Sequence, residues 1–121
     1  MKYVIFLVIF TALVYLIRFA IRNLEFIIVS GDSMFPTLHD GQVVLLYKTD
    51  KIKVGDIVIA TDTSKCPRTM IKRVLSIRYI GGEYRYWIEG DNKDNSFDSR
   101  NYGHIRKNAI EGKIIRWKKN K

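Results

Sequence analysis

The sequence has one cysteine, two prolines and two histidines among its 121 residues. With a single cysteine no disulfide can form within the chain, and the thiol does not report the redox compartment. Cys66 lies in a turn-like stretch, so we interpret it as an incidental loop thiol. No set of cysteine, histidine and carboxylate residues has the spacing of metal ligands, and we expect neither a metal nor an organic cofactor.

Acidic side chains are also scarce. The chain has 12 aspartates and glutamates and 21 lysines and arginines, which gives a formal net charge of +9. A basic surface suits nucleic acid or anionic lipid about equally well on electrostatics alone. Part of the charge is concentrated near the carboxyl end, at Lys113, Arg116, Lys118, Lys119 and Lys121. A solvated charge run without a partner is the simpler interpretation of the last few lysines.

One long apolar run is present, at the amino terminus. Residues 3–17 carry no charge, and residues 19–21 extend the run past Arg18. A bilayer core needs roughly 20 mostly apolar residues, so this segment is long enough when Arg18 reaches the headgroups. A cleaved signal peptide would show small residues at a cleavage site, and residues 18–25 have no such Ala-x-Ala pattern. A helix that is apolar on every face also suits lipid better than the core of a small domain.

We therefore predict two domains, a membrane anchor over residues 1–22 and a soluble domain over residues 23–121. The anchor favours membrane lipid over nucleic acid as the partner of the basic charge. Six runs of strand-forming residues follow it, at 24–29, 42–47, 57–60, 69–80, 83–89 and 110–117. Gly81 and Gly82 predict a two-residue hairpin turn, and residues 90–104 are predicted to be loop. The fold class is thus mostly β, one transmembrane helix followed by a small all-β domain.

Two short stretches carry the residues suited to chemistry. Ser33 lies on a turn that begins with glycine and ends with proline, and Lys72 lies inside an apolar, strand-like run. A serine hydroxyl is a poor nucleophile until a base takes its proton. A lysine can act as that base only when neutral, and an apolar setting favours the neutral amine. The simpler alternatives are a serine that caps a turn and an exposed lysine on a strand.

The order of the motifs resembles that of type I signal peptidases, the Ser/Lys-dyad membrane proteases that remove signal peptides from exported proteins. Ser-Gly-Asp-Ser-Met-Phe-Pro-Thr-Leu at 30–38 is similar to their serine box, and Met-Ile-Lys-Arg-Val at 70–74 to the box of the general base. Gly-Asp-Asn-Lys-Asp-Asn-Ser-Phe-Asp-Ser-Arg at 90–100, with Gly103, resembles their third signature. Three ordered boxes behind an anchor are a far more specific signal than one serine motif. The brevity of the chain implies a minimal, short-form catalytic core.

The resemblance implies a role for each matching residue. Ser33 would be the nucleophile and Lys72 the general base, with Ser96 holding the lysine amine in line. Gly90 would let the backbone pass close to the lysine. A charged brace behind the site would comprise Asp98, Arg100, Arg73 and Asp91, and Met34 and Phe35 would lie near the substrate pockets.

One position departs from the pattern of the family. Many members carry a hydroxyl two residues before the nucleophile, where it helps to stabilise the oxyanion. This chain has Gly31 at that position, and Ser30 lies one residue earlier. The oxyanion would therefore depend on the backbone N–H of Ser33 and on a second donor that the sequence does not identify.

The implied activity is that of a serine endopeptidase that cleaves preprotein signal peptides after small-x-small sites. The resemblance places it in the inner or plasma membrane as a single-pass protein with its catalytic domain on the outer face. Arg18 and Arg22 follow the anchor while Lys2 precedes it, and the positive-inside rule alone would favour the opposite orientation. We follow the resemblance, because the rule weakens for long translocated domains. The oligomeric state is left open.

Three alternatives compete with this hypothesis. A self-cleaving regulator of the LexA type would need a DNA-binding domain and a cleavage site before the serine, and residues 1–29 contain neither. A Ser-His-Asp triad could be drawn from His39 or His104 with Asp40 or Asp98, but triads are recognised by geometry. A non-catalytic membrane protein could bind anionic surfaces through its basic face, and such binding would fall steeply with salt.

Overall fold

The computed structural model describes residues 1–61 and 68–116. It consists of one long N-terminal helix followed by a seven-stranded antiparallel sheet, which confirms the predicted mostly-β fold with one apolar helix. Cys66 and the last lysines of the basic cluster lie outside the described residues.

Helix α1 spans Lys2–Asn23, and none of its side chains is buried within the protein. Its 22 residues extend about 33 Å at 1.5 Å per residue, slightly more than the roughly 30 Å core of a bilayer. The helix is therefore long and apolar enough to cross a membrane. It is held to the sheet at its end, where the Lys48 N–H donates to the Asn23 carbonyl at 2.7 Å.

Seven strands follow the helix without a linker, since Leu24 is already extended. They are β1 Leu24–Ile28, β2 Val43–Tyr47, β3 Ile57–Thr61, β4 Thr69–Ile80, β5 Glu83–Glu89, β6 Ile105–Arg106 and β7 Ile110–Arg116. Their order in the sheet is β1-β2-β7-β3-β4-β5-β6, so the last strand is inserted between β2 and β3. The bounds predicted for β4 and β5 are confirmed, and three other predicted strands differ by one residue at an end. The strand predicted over 110–117 is present as β7, and its last predicted residue lies outside the described residues.

The segment 90–104 differs from the loop that the sequence predicts. It contains a 3-10 turn at Lys93–Asn95 and a short helix α2 at Ser99–Tyr102. Asp98 begins that helix with a capping box, in which its side chain accepts from the Arg100 N–H and Asn101 bonds back to the Asp98 N–H. Strand β6 has two residues, too few to leave a hydrophobic period, and it pairs with β5.

The core lies on both faces of strand β3. Ile57 and Ile59 pack into one apolar cluster, with Met34 and Leu38 from the turn after β1. Val58 and Ala60 pack into a second cluster on the other face. A strand buried on both sides is a rigid reference in the middle of the sheet, and β4, which carries Lys72, pairs directly with it.

Candidate active site

The turn after β1 is fixed by burial and by hydrogen bonds. Met34 and Leu38 are almost fully buried, and the Leu38 N–H donates to the Met34 carbonyl at 3.0 Å. Gly31 has a φ of +86°, a conformation that glycine adopts without strain, and its N–H donates to Asp40 Oδ1 at 2.8 Å. Ser33 lies between these anchors, so its hydroxyl is presented from a turn held at both ends.

Lys72 lies in the middle of the sheet because β4 pairs in register with β3. Its partner in that register is Val58, and it alternates along β4 with Ile71 and Arg73. Only 5% of its surface is exposed. An amine at this position is removed from water by the strand that carries it and by the neighbouring strand.

The two residues meet across the fold. Lys72 Nζ donates to Ser33 Oγ at 2.8 Å, although 39 residues separate them in the chain. A neutral amine has a lone pair, and at this distance it can accept the hydroxyl proton instead. The arrangement provides what a weak alcohol nucleophile requires, a base in direct contact.

Burial sets the protonation of that base. Removal from water lowers the pKa of the Lys72 amine below its usual value, and the negative charge of Asp98 opposes part of this shift. The apolar surroundings are the larger of the two influences. The structure therefore favours a larger fraction of neutral amine than a solvated lysine has.

Asp98 is fully buried and ionised. Burial alone would raise its pKa, but hydrogen bonds outweigh burial and hold the pKa far below its usual value. Both Nε and Nη2 of Arg100 donate to it, at 3.0 and 3.1 Å, and the Gly90 N–H donates to Oδ2 at 2.9 Å. A buried carboxylate satisfied in this way stabilises the loop around it.

A second carboxylate joins the serine turn to the lysine strand. Asp91 accepts two hydrogen bonds from Arg73, at 2.9 and 2.8 Å, and a third from the Thr37 hydroxyl at 2.5 Å. Burial would raise the pKa of Asp91, but these bonds lower it on balance. The predicted brace thus consists of two separate pairs, Asp98 with Arg100 and Asp91 with Arg73.

Asn92 holds the nucleophile turn from the other side. Its backbone N–H donates to the Ser33 carbonyl at 2.9 Å, and its Nδ2 donates to the Asp32 carbonyl at 3.0 Å. Sequence reasoning did not assign Asn92 or Thr37 a role. Both lie within the motifs quoted above, but a turn carries no signal of which distant segment it will bond.

Ser96 lies close to the site without a bond to the lysine. Its hydroxyl is buried, and it has no hydrogen-bond partner of good geometry among the described residues. It is near enough to Asp98 to contribute to the lowered pKa of that carboxyl group. The structure therefore places Ser96 near Ser33 and Lys72, while the predicted contact between Ser96 and Lys72 is not formed.

A cleft of ≈ 260 Å³ opens at the Ser33 hydroxyl. The end of β1 and the start of β4 form its walls, and it is lined by Ile28, Val29, Ser30, Ser33, Met34, Thr69, Met70, Ile71 and Lys72. Met34, predicted to lie near the substrate pockets, is among these residues. Phe35 is 46% exposed, lies outside the lining and packs edge-on against His39.

The histidines lie apart from this arrangement of base and nucleophile. His39 contacts the Phe35 ring, and His104 packs edge-on against Trp87. Asp40 accepts from the Gly31 N–H, and Asp98 is bound by Arg100. The basic group in contact with the Ser33 hydroxyl is Lys72, so the geometry favours a Ser/Lys pair over the triad drawn from the sequence.

We expect Gly90→Ala to lower the free energy of unfolding by about 1–3 kcal/mol, because the added carbon has no room beside the serine turn. A Cβ at this position would lie 2.5 Å from the Ser33 carbonyl oxygen and closer still to the Ser96 hydroxyl. Urea unfolding measures the effect. The matched control is Gly82→Ala, whose added carbon meets nothing within 4 Å and which carries only backbone strain at a φ of +85°. An unchanged stability in Gly90→Ala would contradict the close approach.

The chain matches a known protein family along almost its entire length. Residues 1–78 and 82–117 match the family described as "Signal peptidase, peptidase S26". The match includes the anchor helix, the serine turn, the strand that carries Lys72 and the loop of the two carboxylates.

Several characterised proteins are similar to the chain. Mitochondrial inner membrane protease subunit 1 of Xenopus tropicalis is 32% identical, over 74% of this chain and 66% of that protein. The human subunit 1 is 33% identical, over 71% of this chain and 64% of that protein. Subunit 2 of the mouse protease is 32% identical, over 64% of this chain and 57% of that protein. The chain spans between 57% and 66% of the length of the relatives named here. On the extent of the family match, it belongs to the signal peptidase S26 family.

Proposed function

We propose that this protein is a membrane-bound serine endopeptidase that removes signal peptides from preproteins. The observation that carries the proposal is the 2.8 Å contact between Lys72 Nζ and Ser33 Oγ, with the amine removed from water. A buried lysine with a lowered pKa beside a hydroxyl in a cleft is the combination expected of a catalytic pair.

In the first half of the proposed reaction, neutral Lys72 takes the proton of the Ser33 hydroxyl while Oγ attacks the scissile carbonyl carbon. The tetrahedral intermediate then collapses, the C–N bond breaks, and the leaving amine receives the proton from Lys72. The product is an acyl-enzyme ester on Ser33 with the amine of Lys72 neutral again.

In the second half, Lys72 takes a proton from water and the resulting hydroxide attacks the ester carbon. The C–O bond to Ser33 breaks, and Lys72 returns the proton to Oγ. Both residues end in their initial states, so no further reactant is required.

The preference for small side chains before the scissile bond is proposed from the family match. The cleft of ≈ 260 Å³ would hold those residues against a lining that is partly apolar, at Ile28, Val29 and Met34.

Ser30 is our candidate for the missing oxyanion donor. The Gly31 N–H, one residue further along, already donates to Asp40, so it is not free for an oxyanion. Ser30 lines the same cleft as Ser33 and Lys72. The Ser30 hydroxyl and the Ser33 N–H would together supply two donors to the developing negative charge.

The proposed setting is a membrane, with the catalytic domain on its outer face. The apolar helix α1 supports membrane association, as do the relatives, which are named as subunits of an inner membrane protease. The signal segment of a preprotein would lie in lipid beside α1, and its cleavage site would enter the cleft.

The central test is substitution of each member of the pair in the full-length protein. Ser33→Ala and Lys72→Met should each abolish cleavage of a preprotein with a small-x-small site, because each removes one partner of the proton transfer. Lys72→Met should also raise the free energy of unfolding, by about 1–3 kcal/mol, since it removes a buried amine. Lys51→Met, at an exposed lysine, is the control. Wild-type turnover in either variant would contradict the proposal and leave a non-catalytic membrane protein.

The pH dependence should follow the lowered pKa of Lys72. The neutral amine is the active form, so kcat/KM should fall as the pH decreases through that pKa. The midpoint should lie below the pKa of about 10.4 of an ordinary lysine. Because burial sets the pKa of Lys72 and the Ser96 hydroxyl makes no hydrogen bond to the amine, Ser96→Ala should leave the midpoint nearly unchanged. A midpoint at or above 10.4 would exclude Lys72 as the base.

The role of Ser30 is tested by Ser30→Ala, which we expect to lower kcat by about 10²–10³-fold with little effect on KM. Ser30→Thr keeps the hydroxyl and should recover most of the activity. Ser76→Ala, on β4 and outside the residues that line the cleft, is the control. An unchanged kcat in Ser30→Ala would assign the second donor to another group.

A further inference from the structure

Two arginines at the end of helix α1 lie on one side of the helix. Arg18 and Arg22 are one turn apart, and together with Tyr15, Phe19 and Asn23 they line a surface cavity of ≈ 470 Å³. Neither arginine forms an ion pair with any residue that the structure describes. The nearby carboxylate of Glu25 is instead paired with Lys48 at 3.3 Å.

The depth of Arg18 in a bilayer makes this lack of a partner costly. The uncharged residues 3–17 extend only about 22 Å along a helix, which is shorter than a hydrocarbon core of roughly 30 Å. Moving the helix outward to expose Arg18 would pull Lys2 into the core from the other side. The guanidinium of Arg18 therefore lies close to the hydrocarbon boundary, where an unpaired charge is less favourable than in water.

An oxyanion at the same depth would remove that cost. The phosphate of a phospholipid lies at the boundary, and a guanidinium binds phosphate through two parallel hydrogen bonds. Arg22, one turn further out, can reach the same headgroup. The rings of Tyr15 and Phe19 flank the two arginines, at the level where aromatic side chains favour the membrane interface.

We propose that Arg18 and Arg22 form a binding site for the phosphate of one anionic phospholipid at the outer end of helix α1. A headgroup without a positive charge is favoured, because two unpaired arginines would repel the ammonium of a zwitterionic lipid. Inorganic phosphate has the same binding chemistry, but it has no acyl chains to hold it against Tyr15 and Phe19. This site goes beyond the proposed proteolytic function and rests only on the proposed membrane setting of helix α1, not on proteolysis.

The test measures lipid association with the full-length protein in vesicles, using spin-labelled phosphatidylglycerol and phosphatidylcholine. We expect the wild-type protein to prefer phosphatidylglycerol by about 5- to 25-fold, since each basic residue near the surface contributes roughly fivefold. The double variant Arg18→Gln/Arg22→Gln should lose the preference. The double variant Lys51→Gln/Lys53→Gln carries the same change in charge outside the helix and should keep it.

Three results would overturn the site: equal association of the two lipids with the wild type, an unchanged preference in the arginine double variant, or loss of the preference in millimolar inorganic phosphate. If the Arg18→Gln/Arg22→Gln variant does not insert into the membrane, the lipid preference of the Arg18→Lys/Arg22→Lys variant provides the test. It keeps the charge without the paired donors, so we expect a reduced but measurable preference, and a full preference would contradict bidentate binding. Because the readout is lipid association, the result is independent of whether preproteins are cleaved.

Discussion

The contact between one amine and one hydroxyl is the interaction on which the rest of this structure depends. A charged lysine amine is less stable when it is removed from water. The fold nevertheless buries Lys72 on β4, next to the central strand β3. The result is an amine whose pKa is lowered by burial and whose nitrogen lies 2.8 Å from the Ser33 hydroxyl oxygen. Stability and reactivity are thus opposed at this position.

The carboxylates of Asp91 and Asp98 have different effects on the Ser33–Lys72 contact. Asp91 joins Arg73, the residue after the lysine, to Thr37 in the serine turn, so it fixes the distance between the two partners. Asp98 holds Gly90 and Arg100, and its charge acts against the lowering of the lysine pKa. Because Arg100 neutralises Asp98 directly, the apolar surroundings remain the stronger influence on the amine.

Much of the architecture could be predicted from the sequence, because strand residues and turn residues alternate clearly after the anchor. The hairpin at Gly81 and Gly82 fixed the ends of β4 and β5. Two elements were missed: β6 exists through its pairing with β5, and α2 is a single turn begun by the Asp98 cap, too short to leave a hydrophobic period. The contact between Ser33 and Lys72 was predictable from the motifs. The hydrogen bonds of Asn92 to the serine turn depend on a register that no local pattern encodes.

Helix α1 passes into β1 with no intervening residue, and this continuity limits how far the serine turn can lie from the end of the helix. Eight residues lie between Leu24 and Ser33, and the five of β1 extend about 16 Å at roughly 3.3 Å each. In the proposed setting, with the helix held by lipid, the height of the Ser33 hydroxyl above the bilayer would have little freedom. A polypeptide substrate would then be cut only where its own chain emerges at a matching level, so that height above the membrane would help to select the bond.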